Sequence, residues 1–119
     1  MGEHKLMVAL LILFLWAASL DAATATDDCT AVTGLVSTCA AFINFASPAP
    51  YLGSPCCEAM VSLKLLADST YNRRLVCRCL LSFINTYNPN ATAIASLPGV
   101  CGVSLGFTID SNTDCNLNI

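Results

Sequence analysis

An all-α bundle stapled by disulfides is the fold class that this 119-residue sequence predicts, and three observations carry it. Apolar residues recur at helical spacing through four stretches, each closed by proline, glycine or asparagine signals. Eight cysteines lie between Cys29 and Cys115, an even count that reads as a crosslink framework in a small domain. Ahead of them, polar MGEHK, the apolar run LMVALLILFLW and the small residues ATAT at 23–26 have the layout of a secretory signal peptide. An oxidising route therefore agrees with the cysteine count.

Ala23 and Ala25 best meet the small-residue cleavage rule, which gives a leader over 1–25 and a mature domain over 26–119. A membrane anchor is the competing reading, but the apolar run is short for a span of about 20 residues. Cleavage removes His4 and Trp16. The mature chain then carries Asp27, Asp28, Glu58, Asp68, Asp110 and Asp114 against Lys64, Arg73, Arg74 and Arg78, a net charge of −2. Without histidine, a zinc site is disfavoured and no metal or other cofactor is expected. The lack of a basic, aromatic-interleaved patch speaks against nucleic acid.

The first helix is expected from Thr30 to about Phe45, with Val32, Leu35, Val36, Cys39, Phe42 and Ile43 on one stripe. SPAPYLGSP at 47–55 breaks it with three prolines and a glycine. Ser54 followed by Pro55 reads as an N-cap with proline at the first helical position, opening a helix to about Ala67 with Ala59, Met60, Leu63 and Leu66 inward. Thr70 is the expected cap of a third helix through about Tyr87, carrying Leu75, Val76, Cys79, Leu80 and Phe83 inward. Asn90 caps a short fourth helix to about Leu97, which Pro98–Gly99 stops. Beyond Cys101 the chain has no helical period and reads as an irregular tail, with a strand over 103–109 as the alternative.

Cys77 and Cys79 flank Arg78 on the third helix, where successive residues turn by about 100° and two positions apart point to nearly opposite sides. They cannot bond each other, and a bridge between the neighbours Cys56 and Cys57 is strained. Helices two and three must each lie between two bridges. Which bridges remains open among the other pairings that eight cysteines allow.

Written out, the spacing is C-x9-C-x16-CC-x19-C-x-C-x21-C-x13-C. It closely resembles the plant non-specific lipid-transfer proteins, over the whole span from Cys29 to Cys115, and the polar Arg78 resembles their type 1 branch. The resemblance implies the bridges Cys29–Cys79, Cys39–Cys56, Cys57–Cys101 and Cys77–Cys115, with Arg78 facing solvent as an orientation marker; burying an unpaired guanidinium would be costly. It also implies a four-helix bundle with an internal hydrophobic cavity walled on one side by the tail. SerThrTyrAsnArg at 69–73 falls in register with the branch's Thr/Ser-x-x-Asp-Arg/Lys motif, Asn72 replacing the acid. Gly106–Phe107–Thr108–Ile109–Asp110 takes the place of Pro-Tyr-x-Ile-Ser and keeps an aromatic without its hydroxyl. LPGVCGV at 97–103 and SNTDCN at 111–116 also look like the family's terminal region.

By that resemblance Arg73, Phe107 and Asn72 are the expected polar end of a lipid site. Leu35, Val36, Ile43, Met60, Leu63, Leu80, Phe83, Ile94 and Ile109 are the expected lining, with solid core as the equal reading of each. A solvated Arg73, or one paired with Asp110, is the plain alternative for that residue. Tyr71 and Tyr87 are stand-ins for the missing hydroxyl. The implied ligands are fatty acids, lysolipids or phospholipids, held without chemical turnover by a secreted monomer in the extracellular space or cell wall that meets membranes transiently. No catalytic set presents itself. Asn90–Ala91–Thr92 is a sequon, so Asn90 is a candidate for glycosylation that would compete with capping. The rival function is an amylase or protease inhibitor of the same eight-cysteine superfamily, acting through a loop such as APYLGSP.

Overall fold

The computed structural model describes residues 29–116; the expected leader over 1–25, its cleavage site, Asp27 and Asp28 lie outside the described residues. Five helices follow one another: α1 (Thr30–Ser37), α2 (Ala40–Phe45), α3 (Pro55–Leu66), α4 (Thr70–Tyr87) and α5 (Ala91–Val100). Among the described residues there are no strands, so the tail after α5 is irregular rather than extended pairing over 103–109.

The expected single helix from Thr30 to Phe45 is two helices with a break at Thr38–Cys39. Hydroxyls bond carbonyls beside it. Ser37 Oγ donates to Thr33 C=O at 2.7 Å and Thr38 Oγ1 donates to Leu35 C=O at 2.7 Å, where side-chain bonds of this kind weaken and bend a helix. Cys39 N–H then bonds Val36 C=O at 2.9 Å in a tightened turn, and the ladder restarts with Ile43 N–H on Cys39 C=O at 3.0 Å. The bridge from Cys39 to Cys56 holds the corner against the start of α3.

Helix α3 opens as its sequence requires. Ser54, extended and 6% exposed, accepts from Cys57 N–H at 3.3 Å, and Pro55 occupies the first helical position. Helix α4 is capped one residue earlier than expected: Ser69 Oγ accepts from Asn72 N–H at 3.1 Å, because Ser69 holds the extended backbone and Thr70 is already helical. Helix α5 starts at the Asn90 cap, whose Oδ1 accepts from Ala93 N–H at 2.9 Å. It runs past its expected stop through Pro98 and Gly99 to Val100. In the last turn a proline forfeits one helical hydrogen bond, and the ladder resumes with Cys101 N–H on Leu97 C=O at 3.0 Å.

Helix α3 is central, touching α1, α4 and α5, while α2 packs on α5. The bridges are Cys29–Cys79, Cys39–Cys56, Cys57–Cys101 and Cys77–Cys115, the partners that the resemblance implies. Cys79 thus reaches the start of α1 while Cys77 reaches the tail, and exposed Arg78 between them donates to Asn116 Oδ1 at 3.5 Å. The Cys77–Cys115 bond has a consequence for the site: it fixes the end of a tail whose other end is held through Cys101 to α3. Within these ties Val36, Ile43, Met60, Leu63, Leu80, Ile94 and Leu97 are almost wholly buried, together with Ile109 of the tail.

Candidate functional site

The tail closes over α3, α4 and α5 and leaves two open clefts that meet at Ser104–Leu105–Gly106. The first, of about 470 Å³, is lined by Lys64, Leu65, Ala67, Asp68, Arg73 and that three-residue strap. The second, of about 420 Å³, is lined by Ala95 and Pro98 of α5 and by 103–109, with no charged side chain. Both volumes fall within the range of about 300–1,000 Å³ usual for small-molecule sites. Leu105, 3% exposed, belongs to both cleft walls and to the core cluster, so the strap's apolar residue points where the clefts adjoin the interior.

Position and neighbours separate the expected polar-end residues. Arg73 is half-buried in the first cleft, between α4 and the strap. Phe107 is half-buried, lines the second cleft and packs against the core. Asn72 joins neither. Its amide donates to Asp68 Oδ1 at 3.1 Å, its own N–H serves the Ser69 cap, and it lines a small apolar hollow of about 20 Å³ with Cys29, Val32, Leu66, Leu75 and Val76. Asp110 accepts from Asn112 N–H at 2.8 Å in a turn of its own. Tyr71 and Tyr87 are exposed and line neither cleft; Tyr87 packs on Phe83 in a tilted pair with ring centroids 4.7 Å apart. Arg74, beside Arg73, lines neither cleft and carries a buried Nε with no hydrogen-bond partner.

Of the nine expected lining residues, Ile109 faces a described cleft. Val36, Ile43, Met60, Leu63, Leu80, Phe83 and Ile94 form one buried cluster, and Leu35 packs half-buried against it. The second cleft therefore borders this cluster at Leu105 and Ile109.

Gly106 is the residue that sequence reasoning missed. Its φ of +87° lies in the left-handed region that disfavours side chains, and a Cβ there would stand 2.9 Å from Arg73 Cδ and 3.1 Å from its Nε. The strap can lie against the arginine stem because this position has no side chain. Its only signal in sequence is a glycine at the first place of the 106–110 segment, where the resembled motif has proline. Gly106→Ala should lower stability by about 1–2 kcal/mol from backbone strain alone, and should shift Arg73 from its place. Thermal melts and the Arg73 Nε–H NMR signal check both.

A family model described as protease inhibitor/seed storage/LTP family matches residues 29–115. A relative from Arabidopsis thaliana assigned to the non-specific lipid-transfer proteins is 53% identical over 89 residues, covering 75% of this chain and 74% of its own. The solved barley non-specific lipid transfer protein 1 in complex with a lysophosphatidylcholine is similar at a TM-score of 0.66 and 28% identity, covering 76% of this chain and 98% of the other. A wheat non-specific transfer protein complexed with two phospholipid molecules matches at a TM-score of 0.63 and 33% identity, covering 73% and 94%. With the eight-cysteine framework, the helical bundle and these matches together, the chain belongs to the plant non-specific lipid-transfer proteins of the protease inhibitor/seed storage/LTP family.

Proposed function

We propose that the protein is a secreted carrier that takes up one acyl lipid at a time and moves it between lipid surfaces, with no bond made or broken. The leader over 1–25 would send it to the extracellular space or cell wall. Fatty acids, lysolipids and phospholipids are the ligand class. The observation that carries the reading is the pair of clefts meeting at Ser104–Gly106, one with Lys64, Arg73 and Asp68 at its wall and the other without charge.

In this reading the clefts are two mouths of one path beneath the strap. The carboxylate or phosphate end of the lipid stays at the first mouth, facing Arg73 and Lys64. The alkyl chain runs under Leu105 towards Phe107 and Ile109 and parts the edge of the core. A sixteen-carbon chain gains about 12 kcal/mol gross from leaving water, and lost ligand freedom and ordering take back several kcal/mol. Micromolar affinity with little head-group discrimination follows. Phe107 lines the other mouth, away from the head group, so the charge of Arg73 does the anchoring. The lysophospholipid and phospholipid held by the barley and wheat neighbours support the same use here.

Displacement of a fluorescent fatty acid by lysophosphatidylcholine, run beside amylase and trypsin inhibition, tests the reading. Displacement in the micromolar range without inhibition is the expected result. Inhibition without displacement would favour the rival inhibitor function. Asn90 is a candidate glycosylation site in its sequon: capping uses Oδ1, which leaves the amide nitrogen as the point of attachment. The mildly acidic mature chain should leave anionic vesicles intact at low protein concentration.

A further inference from the structure

Every charged side chain in the described residues falls in Glu58–Arg78 or at Asp110 and Asp114. None occurs from Thr30 to Cys57 or from Cys79 to Ile109. The fold brings these two uncharged stretches together. Helix α2 packs on α5, and Asn90 N–H donates to Ile43 C=O at 2.6 Å at one end of α5. At the other end Leu52 Cδ2 lies 3.8 Å from where a Gly102 Cβ would stand. The loop between α2 and α3 thus leaves α2 near the start of α5 and meets the chain again just past its end. Loop and flanks hold apolar side chains out in water: Phe45 is 77% exposed, Tyr51 71% and Leu52 72%, and Val100 in the last turn of α5 is 39% exposed.

We infer that this face, the α2–α3 loop with the end of α5, docks the protein on a net-neutral lipid surface. The inference rests on the carrier reading and names where the carrier meets its donor and acceptor. Charge selects the occupant. Protein surfaces carry many Asp, Glu, Lys and Arg, about a quarter of average composition. The loop and the end of α5 have no charge of their own to pair with them, Glu58 on the first turn of α3 being the nearest in sequence. An anionic bilayer asks for lysine and arginine, which the face also lacks. The glycerol and upper acyl zone of a zwitterionic bilayer asks for what is there: a tyrosine, which settles at the interface with its hydroxyl wet, and aliphatic or phenyl groups that leave water. Position agrees. Val103 N–H donates to Pro98 C=O at 2.8 Å, and both residues line the second cleft, two to three positions from Val100. Docking through Leu52 and Val100 brings the uncharged mouth beside the bilayer while Lys64, Asp68 and Arg73 keep to the charged stretch.

The test uses phosphatidylcholine vesicles and a Tyr51→Asp/Leu52→Asp double variant, whose sites are exposed enough for the fold to persist by circular dichroism. Removing two apolar anchors should lower vesicle partition and vesicle-to-vesicle transfer by about ten-fold or more, while affinity for lysophosphatidylcholine in solution stays unchanged. Tyr51→Trp should retain partition and show a blue-shifted emission on vesicles. Adding phosphatidylserine should not strengthen partition. Equal partition by wild type and the double variant would overturn the docking face. So would an effect confined to self-association in sedimentation, or to inhibition of a protease. Absence of lysophosphatidylcholine binding by wild type would count against the carrier reading, whereas vesicle partition judges the face independently.

Discussion

Removing the Cys77–Cys115 bridge by Cys77→Ala/Cys115→Ala should cost about 4 kcal/mol of stability and weaken lipid binding by more than ten-fold. The bond spans 38 residues of sequence, and closing a loop of that size restrains the unfolded chain by about that amount. In a domain this small the melting temperature should fall by roughly 20 °C. The functional loss has a separate cause. Cys115 is the tail's distal tie, and the tail supplies the strap and four further residues of the second cleft. Removing Cys39–Cys56 instead, which spans 17 residues and touches neither cleft, should cost about 3 kcal/mol and spare affinity in whatever fraction remains folded. Thermal melts with lysophosphatidylcholine titrations at a temperature where both variants are folded check the contrast. Equal losses of affinity from the two removals would show that the tail has no special part in binding.

Ala95→Trp should change how affinity depends on ligand chain length. Ala95 is half-buried on α5 and lines the uncharged cleft, so an indole there fills the mouth without entering the core. In the wild type each added methylene should tighten binding by up to about four-fold, the factor that ~0.8 kcal/mol represents. In the variant this gain should stop several carbons sooner, costing about 100-fold for a sixteen-carbon lysolipid. Ligands of eight carbons or so should bind both proteins alike, since their chains end beneath Leu105. Calorimetry over a series of saturated lysophosphatidylcholines measures the two slopes. Parallel lines would place the alkyl chain somewhere other than under the strap.

Much of the fold was legible because local chemistry decided it. Ser54–Pro55 and Asn90 announce helix starts that depend on their own side chains and on backbone three residues ahead. The opposite facing of Cys77 and Cys79 follows from helix geometry alone. Other features depended on distant parts. Ser37 and Thr38 look like ordinary polar positions on a stripe, and the break there joins their hydroxyls' capture of carbonyls to a corner tied to α3 through Cys39. Pro98 reads as a stop, yet in a final turn it removes one bond and α5 continues.

The site divides the same way. Arg73 was visible through its register before the C-x-C pair, since its place on α4 is set locally. Gly106 was not, because its role exists only once the tail lies on the arginine stem. Helical stripes such as Leu63, Leu80 and Ile94 cannot show in sequence whether they meet each other or a ligand. They meet each other here, and the space lies at their edge, in the open clefts that Leu105 helps to wall.

A crystal structure with a lysophosphatidylcholine bound probes most directly whether a hydrocarbon chain threads between tail and helices. Density with the phosphate near Arg73 and the alkyl chain passing beneath Leu105 to emerge by Phe107 and Ile109 is the outcome expected. A lipid held wholly outside the strap, with Leu105 and Ile109 in unchanged contact with the core, would contradict it.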